Sequence, residues 1–149
     1  MLADTAVRLA NDCSNIVGTK EASGNYSQVS EIIRKAPQGF AVLSGDDDMT
    51  LAFMATGAHG VISVASNVAP AEVSAMVHAL MADDLPSARR LHHKLSPLFK
   101  NCFVESNPIP VKAAMAQLGL MENVLRLPLV PSSEKTDAIM AETLKALWQ

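Results

Sequence analysis

Lys20 is the first residue whose type and position suggest chemistry. It ends a short apolar run in the segment NIVGTKEASGN, residues 15–25, where the chain changes to small polar residues. Partial desolvation at such a position lowers the pKa of a lysine amine, and a neutral amine can attack a ketone and form a Schiff base. The pattern alone favours the alternative, a solvated strand end or a partner of an aspartate, because a lone lysine is a weak signal.

Two further polar clusters follow apolar runs, in the same way as Lys20-Glu21. They are Ser44-Gly45-Asp46-Asp47 and Ser63 with Ser66-Asn67. The carboxyl ends of parallel strands meet at one edge of a sheet, where active sites of α/β proteins lie. We therefore expect a candidate site at the edge that these clusters share.

The remaining polar residues favour structural roles. The run Asp46-Asp47-Asp48 could bind a metal, but acidic residues before a helix are more typical of an N-cap with favourable dipole charge. Neighbouring side chains of a helix point in different directions, so His92-His93 is a poor ligand pair. His59 is predicted to be structural at a strand start, and His78 to lie on a helix surface.

Composition predicts one globular domain with no nucleic-acid or membrane partner. The chain has 149 residues, 49% of them hydrophobic, and a net charge of -3 with scattered basic residues. No run approaches the roughly 18 apolar residues of a membrane span, and the amphipathic N-terminal segment does not resemble a signal peptide. Cys13 and Cys102 lack ligand spacing and are interpreted as reduced thiols, so we expect a cytoplasmic protein.

The elements that would position Lys20 alternate between strand and helix. Three apolar runs, at Asn15–Thr19, Phe40–Leu43 and Gly60–Val64, are each followed by a helical pattern. Runs that are apolar throughout are typical of a parallel sheet buried on both faces. Their spacing of about 20 to 25 residues fits βα units, so the fold class is predicted to be α/β.

The helix signals divide the chain into two predicted segments. Residues 1–84 contain the βα units, with Asp4 as the N-cap candidate of a helix from Ala3 to Ala10. Asn25 starts the next helix, and the spacing of Asn25 and Gln28 predicts a capping box there. From Leu85 onward the strand patterns stop and helical stripes follow one another. We therefore predict a helical region over residues 85–149.

Four motifs, in this order along the chain, resemble the dihydrodipicolinate synthase family. They are VGTKEASGN, LSGDD, GAHGVISVASNV and FVESNPIPVKAAMAQLGL. The segment NPIPVK, Asn107–Lys112, favours this family over the related N-acetylneuraminate lyases and sugar-acid aldolases. The resemblance covers essentially the whole chain.

The resemblance implies the last three βα units of a TIM (β/α)8 barrel with a C-terminal helical extension. It implies a pyruvate-dependent class I aldolase-type lyase, a cytoplasmic homotetramer that condenses pyruvate with aspartate semialdehyde in lysine (diaminopimelate) biosynthesis. Lys20 would form the Schiff base with pyruvate, and no cofactor would be needed. Gly45 and Ile62 match positions whose backbone lines the pyruvate pocket.

The chain also departs from the family pattern. A (β/α)8 barrel has typically about 250 residues, and the resemblance begins at Met1, in the helix before the lysine strand. The family's pocket threonine, relay tyrosines, pocket-mouth arginine and lysine-feedback site have no counterpart, and Tyr26 does not match a relay position. We therefore expect a truncated chain, and Schiff-base chemistry without its usual proton relay.

A second interpretation follows from the same departure. The chain is then a non-catalytic fragment that folds only by oligomerising or by pairing with a complementary half-barrel, because open sheet edges aggregate unless they are covered. Three alternatives remain open. The missing half is a separate chain, the chain associates with itself through its open sheet edges, or the chain is a truncated product. A third interpretation is a small-ligand module that uses the Gly45 and Asn67 loops without covalent chemistry.

Overall fold

The computed structural model describes residues 1–148. Within them, helices alternate with three strands in the first part of the chain and follow one another in the second part. The elements are α1 Ala3–Asp12, β1 Gly18–Glu21, α2 Tyr26–Lys35, β2 Ala41–Ser44, α3 Thr50–Ala55, β3 Gly60–Val61, α4 Pro70–Met81, α5 Leu85–Asn101, α6 Ile109–Gln117 and α7 Glu134–Leu147. Short 3-10 turns occur at Asp47–Met49 and Ala65–Asn67. The chain forms two compact units, a first unit of residues 1–63 and a second unit from Val64 onward.

The three strands form one parallel sheet in the order β1-β2-β3, as the apolar runs predicted. The first strand was placed too early, at Asn15–Thr19. Pairing with β2 begins where Gly18 faces Ala41, and a Cβ atom on Gly18 would lie 2.7 Å from the Ala41 carbonyl oxygen. Glycine is therefore needed at the start of β1, and Val17 before it is 69% exposed.

Only one face of this sheet is buried within the first unit. Successive side chains of a strand point to opposite faces, so Val42 and Ser44 share one face, and both are buried. That face belongs to a core formed with α1, α2 and α3, whose buried members are Ala3, Ala6, Val29, Ile32, Phe40, Val42, Phe53 and Ala58. The opposite face carries Lys20, Leu43 and Ile62, which keep solvent exposure. The prediction of a sheet buried on both faces is therefore wrong within the first unit, because α1, α2 and α3 pack on one face of the sheet.

The two predicted N-caps have different outcomes. Asn25 caps α2, since its side chain accepts a hydrogen bond from the Gln28 N–H at 3.1 Å. Asp4 is not a cap: α1 begins at Ala3 after Leu2, and Asp4 lies within its first turn. There the Asp4 carboxylate accepts a hydrogen bond of 2.7 Å from Lys35 Nζ on α2. A capping pattern covers only neighbouring residues, so it does not predict this distant partner.

The second unit is a group of packed helices. Helix α4 packs on α5, and α7 packs on both α5 and α6. Its fully buried side chains include Met76, Leu95 and Met140. The units differ from the predicted segments 1–84 and 85–149, because α4 packs with the later helices. Among the described residues, no helix combines the length and the apolar character needed to cross a membrane.

Candidate active site

Lys20 lies within β1, next to the strand's last residue, and not beyond the strand as predicted. It is in register with Leu43 of β2, which is in turn in register with Gly60 of β3. Its side chain is exposed, so the expected partial desolvation is not found in this chain. The reason is that β1 is an edge strand and that the sheet face carrying Lys20 is not covered within the first unit.

Gly45 makes room for the Lys20 side chain. It follows β2, and a Cβ atom built on it would lie 2.8 Å from Lys20 Cε and 2.5 Å from the Ala22 Cβ. Carbon atoms do not approach so closely, so any larger residue would displace the lysine or the chain after β1. The Gly45 N–H donates to the Glu21 carbonyl at 2.8 Å and continues the sheet ladder. A ligand at this edge would therefore find this donor already engaged.

Ile62 extends β3 toward the same edge. Its N–H donates to the Ser44 carbonyl at 2.8 Å, and its side chain is 46% exposed. Because Ser44 is in register with Val61, the next residues Gly45 and Ile62 stand beside each other. Strand alternation places them on the sheet face that carries Lys20. The structure thus brings the three predicted site residues together at one edge, while their roles remain predictions.

Glu21 is a residue of this edge whose role the sequence reasoning missed. It is 8% exposed, and its carboxylate accepts bonds from the Ser23 N–H at 2.9 Å and from the Gln28 side-chain amide at 3.0 Å. Asn25 and Gln28 had suggested a capping box, in which the glutamine bonds back to the asparagine N–H. That N–H instead donates to Ser23 Oγ at 3.2 Å. The adjacent Lys20-Glu21 pair was the only sequence signal for this arrangement.

Asp46 is the charged residue that follows Gly45. Burial, and then the charge of Asp48, raise the pKa of the Asp46 carboxyl, while a bond from the Gly24 backbone and the charge of Lys20 act in the opposite direction. Among the described residues, no group of three or more His, Cys, Asp or Glu side chains is arranged so that it could hold a metal ion.

The other sequence candidates lie apart from this edge or have structural partners. Asp46 precedes the turn Asp47–Met49 but makes no side-chain cap bond, so the N-cap interpretation is wrong in that respect. His59 Nδ1 accepts the Val42 N–H at 3.2 Å, which confirms a structural role. Ser63 belongs to the first unit, whereas Ser66-Asn67 belongs to the second.

Comparison with known proteins relates almost the whole chain to one family. Residues 1–147 match the model of the Dihydrodipicolinate synthetase family. The 4-hydroxy-tetrahydrodipicolinate synthase of Chloroherpeton thalassium is 49% identical over 135 residues, which are 91% of this chain and 45% of that protein. The enzyme of the same name from Maridesulfovibrio salexigens is 48% identical over 145 residues, which are 97% of this chain and 50% of that protein.

Solved structures give the same relation. Dihydrodipicolinate synthase from Thermotoga maritima superposes with a TM-score of 0.95 at 45% identity, over 98% of this chain and 50% of that one. The structure from Aquifex aeolicus gives a TM-score of 0.94 at 46% identity, over 97% and 49% respectively. The chain therefore has the α/β fold of these structures, and it spans about half the length of the relatives it matches.

Proposed function

Because this chain belongs to the dihydrodipicolinate synthetase family, we propose that it supplies the lysine-bearing half of a 4-hydroxy-tetrahydrodipicolinate synthase site. The reaction is the condensation of pyruvate with aspartate semialdehyde in lysine (diaminopimelate) biosynthesis. The main support is the packing of Lys20 Cε against the bare α-carbon of Gly45, at the carboxyl edge of the sheet. A small keto acid would reach the amine of Lys20 from this edge.

The proposed chemistry proceeds through Lys20 and needs no cofactor. The neutral Nζ attacks the pyruvate ketone, water leaves, and loss of a methyl proton gives an enamine. The enamine carbon adds to the aldehyde of aspartate semialdehyde. Cyclisation with transimination then releases Lys20 and the heterocyclic product. Gly45 and Ile62 would line the pyruvate pocket through their backbone.

The rest of the site would come from residues other than these 149. We propose that the three βα units complete a (β/α)8 barrel, that the helices from Leu85 onward form its C-terminal extension, and that the assembled enzyme is a cytoplasmic homotetramer. The uncovered sheet face supports this proposal, since Lys20, Leu43 and Ile62 on it keep exposure that a closed barrel would remove.

Reductive trapping tests the Schiff base directly. We expect incubation with pyruvate and borohydride to add one reduced pyruvyl group, which peptide mapping places on Lys20. Lys20→Arg keeps the positive charge and should abolish the adduct, whereas Lys94→Arg, at an exposed position of α5, should not. A folded sample that forms no adduct, or forms it equally in the Lys20→Arg variant, contradicts the proposed chemistry of this chain.

A second candidate function is a non-catalytic fragment that folds in an assembly with a complementary half-barrel or with its own copies. It is favoured by β1, which is an edge strand of the sheet, and by Val17 just before it, which is 69% exposed. This function predicts a multimer in sedimentation whose fold and size survive Lys20→Ala. A well-folded monomer contradicts it.

A further inference from the structure

Glu21 is a buried carboxylate that directly follows Lys20 in β1 and takes no part in the chemistry proposed above. It is 8% exposed, and a carboxylate in such a position needs hydrogen-bond partners because its burial is otherwise costly. Both of its oxygens have one. Oε1 accepts the Ser23 N–H at 2.9 Å, and Oε2 accepts the Gln28 side-chain amide at 3.0 Å. The carboxylate therefore ties the residues after β1 to the first turn of α2.

The bond to Ser23 closes a turn around Ala22, the residue between Glu21 and Ser23. Ala22 lies against Gly45, because a Cβ atom on Gly45 would lie 2.5 Å from the Ala22 Cβ. The same Cβ atom would lie 2.8 Å from Lys20 Cε. The Gly45 N–H donates to the Glu21 carbonyl at 2.8 Å. Glu21 thus holds Gly45 through its main chain and the turn at Ala22 through its side chain, and Lys20 Cε lies beside the same glycine.

We propose that Glu21 is a positioning residue for Lys20. Its two carboxylate bonds fix the turn at Ala22, and this turn fixes where the Lys20 side chain lies beside Gly45. Successive side chains of a strand point to opposite faces, so the Glu21 carboxylate acts through its hydrogen bonds and the main chain and not by contact with the amine. The part that concerns pyruvate rests on the function proposed above.

Two substitutions of Glu21 separate its hydrogen bonds from its charge. Glutamine removes the charge but keeps an oxygen that accepts from the Ser23 N–H. Its amide group can also donate to Gln28 once the Gln28 amide has rotated, so both connections can persist. Alanine removes the charge and both bonds. A role that depends on the bonds is therefore retained in Glu21→Gln and lost in Glu21→Ala.

Amide hydrogen exchange measured by NMR tests the positioning role without pyruvate. The Ser23 amide reports the carboxylate bond itself. The Gly45 amide reports whether the effect reaches the glycine beside Lys20, since neither substitution removes its main-chain bond to Glu21. We expect Glu21→Ala to accelerate exchange at both amides about two- to tenfold, the range of one hydrogen bond, and Glu21→Gln to have a smaller effect. Unchanged exchange of the Gly45 amide in Glu21→Ala overturns the proposal.

Reductive trapping over a range of pyruvate concentrations tests the consequence for reactivity. We expect Glu21→Ala to lower the saturating rate per folded molecule about two- to tenfold, and Glu21→Gln to recover most of it. Ile32→Val is the matched control, because it shortens a core residue of α2 and lowers stability without removing a bond of Glu21. Its rate per folded molecule should equal that of the parent. A Glu21→Gln or an Ile32→Val variant as slow as Glu21→Ala overturns the positioning role.

These outcomes separate the inference from the proposed function. If the parent chain forms no pyruvate adduct while Glu21→Ala accelerates exchange at Ser23 and Gly45, the Schiff-base proposal fails and the positioning role stands. If the parent forms the adduct but Glu21→Ala matches it in trapping and in Gly45 exchange, the positioning role fails and the Schiff-base proposal stands. Glu21→Asp replaces the alanine variant if that variant does not fold, because its carboxylate is one methylene group shorter and cannot keep both bonds.

Discussion

Substitution of Gly45 by alanine tests whether the space above this glycine is what places Lys20. The new Cβ would lie 2.8 Å from Lys20 Cε, and 2.5 Å and 3.2 Å from the Cβ and Cα atoms of Ala22. The lysine end can swing away, because its side chain is flexible and exposed. Ala22 cannot move without its backbone, so the chain after β1 must shift.

The size of the effect follows from these two contacts. Forcing an extra methyl group into a close-packed position costs about 1–3 kcal/mol in unfolding free energy, and most of it should come from Ala22. The double variant Gly45→Ala/Ala22→Gly removes that contact and should recover most of the stability. The double variant leaves the contact with Lys20 in place, so its rate of pyruvate trapping should stay about tenfold or more below that of the parent. The reason is that misplacing a reacting group by about 1 Å can lower the reaction rate 100-fold.

Urea unfolding measures the stability, and the initial rate of borohydride trapping per folded molecule measures the reactivity of Lys20. Gly39→Ala is the matched control, because Gly39 precedes β2 whereas Gly45 follows it. Gly39 has φ +87° and open space around it, so alanine costs about 1–2 kcal/mol of backbone strain there without contact to Lys20. Its trapping rate should equal the parental one. A Gly45→Ala variant that is as stable and as reactive as the parent would refute the reasoning.

Three further predictions concern hydrogen bonds within the individual units. Glu21→Ala should lower the unfolding free energy by about 1–3 kcal/mol, because the Ser23 N–H and the Gln28 side-chain amide lose their acceptor. Glu21→Gln should lower the unfolding free energy by a smaller amount. Urea unfolding measures both changes. The hydrogen bond from Lys35 lowers the pKa of Asp4. The stability that this bond contributes is therefore complete above the unfolded pKa of 3.8, and it is lost as the pH falls through the lower folded pKa. In unfolding curves measured over a series of pH values, Asp4→Asn should remove this part of the acid-induced loss of stability. Ser133→Ala, which removes the N-cap of α7, should destabilise the second unit by about 1 kcal/mol and lower its midpoint in thermal unfolding, while Ser133→Asp should retain the cap.

The parts of the fold that local signals determine were predicted from the sequence. Continuous apolar runs predicted the three parallel strands. Asn25 was predictable as an N-cap because its side chain bonds to a residue only three positions away, so the sequence contains both partners as neighbours. The start of β1 was not predictable in this way. It depends on where Ala41 of the partner strand meets Gly18, and sequence periodicity within β1 contains no information about its partner.

The candidate site was likewise predicted only in part. Lys20, Gly45 and Ile62 were singled out by motifs, and the structure places them on one face at one edge. The role of Glu21 was missed because the spacing of Asn25 and Gln28 fits a capping box. A buried carboxylate accepts charge-assisted bonds that are about twice as strong as neutral ones, so Gln28 bonds to Glu21 instead.

The exposure of Lys20 connects the two proposed functions. A lysine becomes a nucleophile near neutral pH when its surroundings disfavour the charged form, and burial is the strongest way to achieve this. In this chain Lys20 lies on the same uncovered face as Leu43 and Ile62. Whatever covers the apolar side chains of that face, a complementary half-barrel or another copy, would also remove water from around Lys20. Assembly and Schiff-base reactivity should therefore rise and fall together.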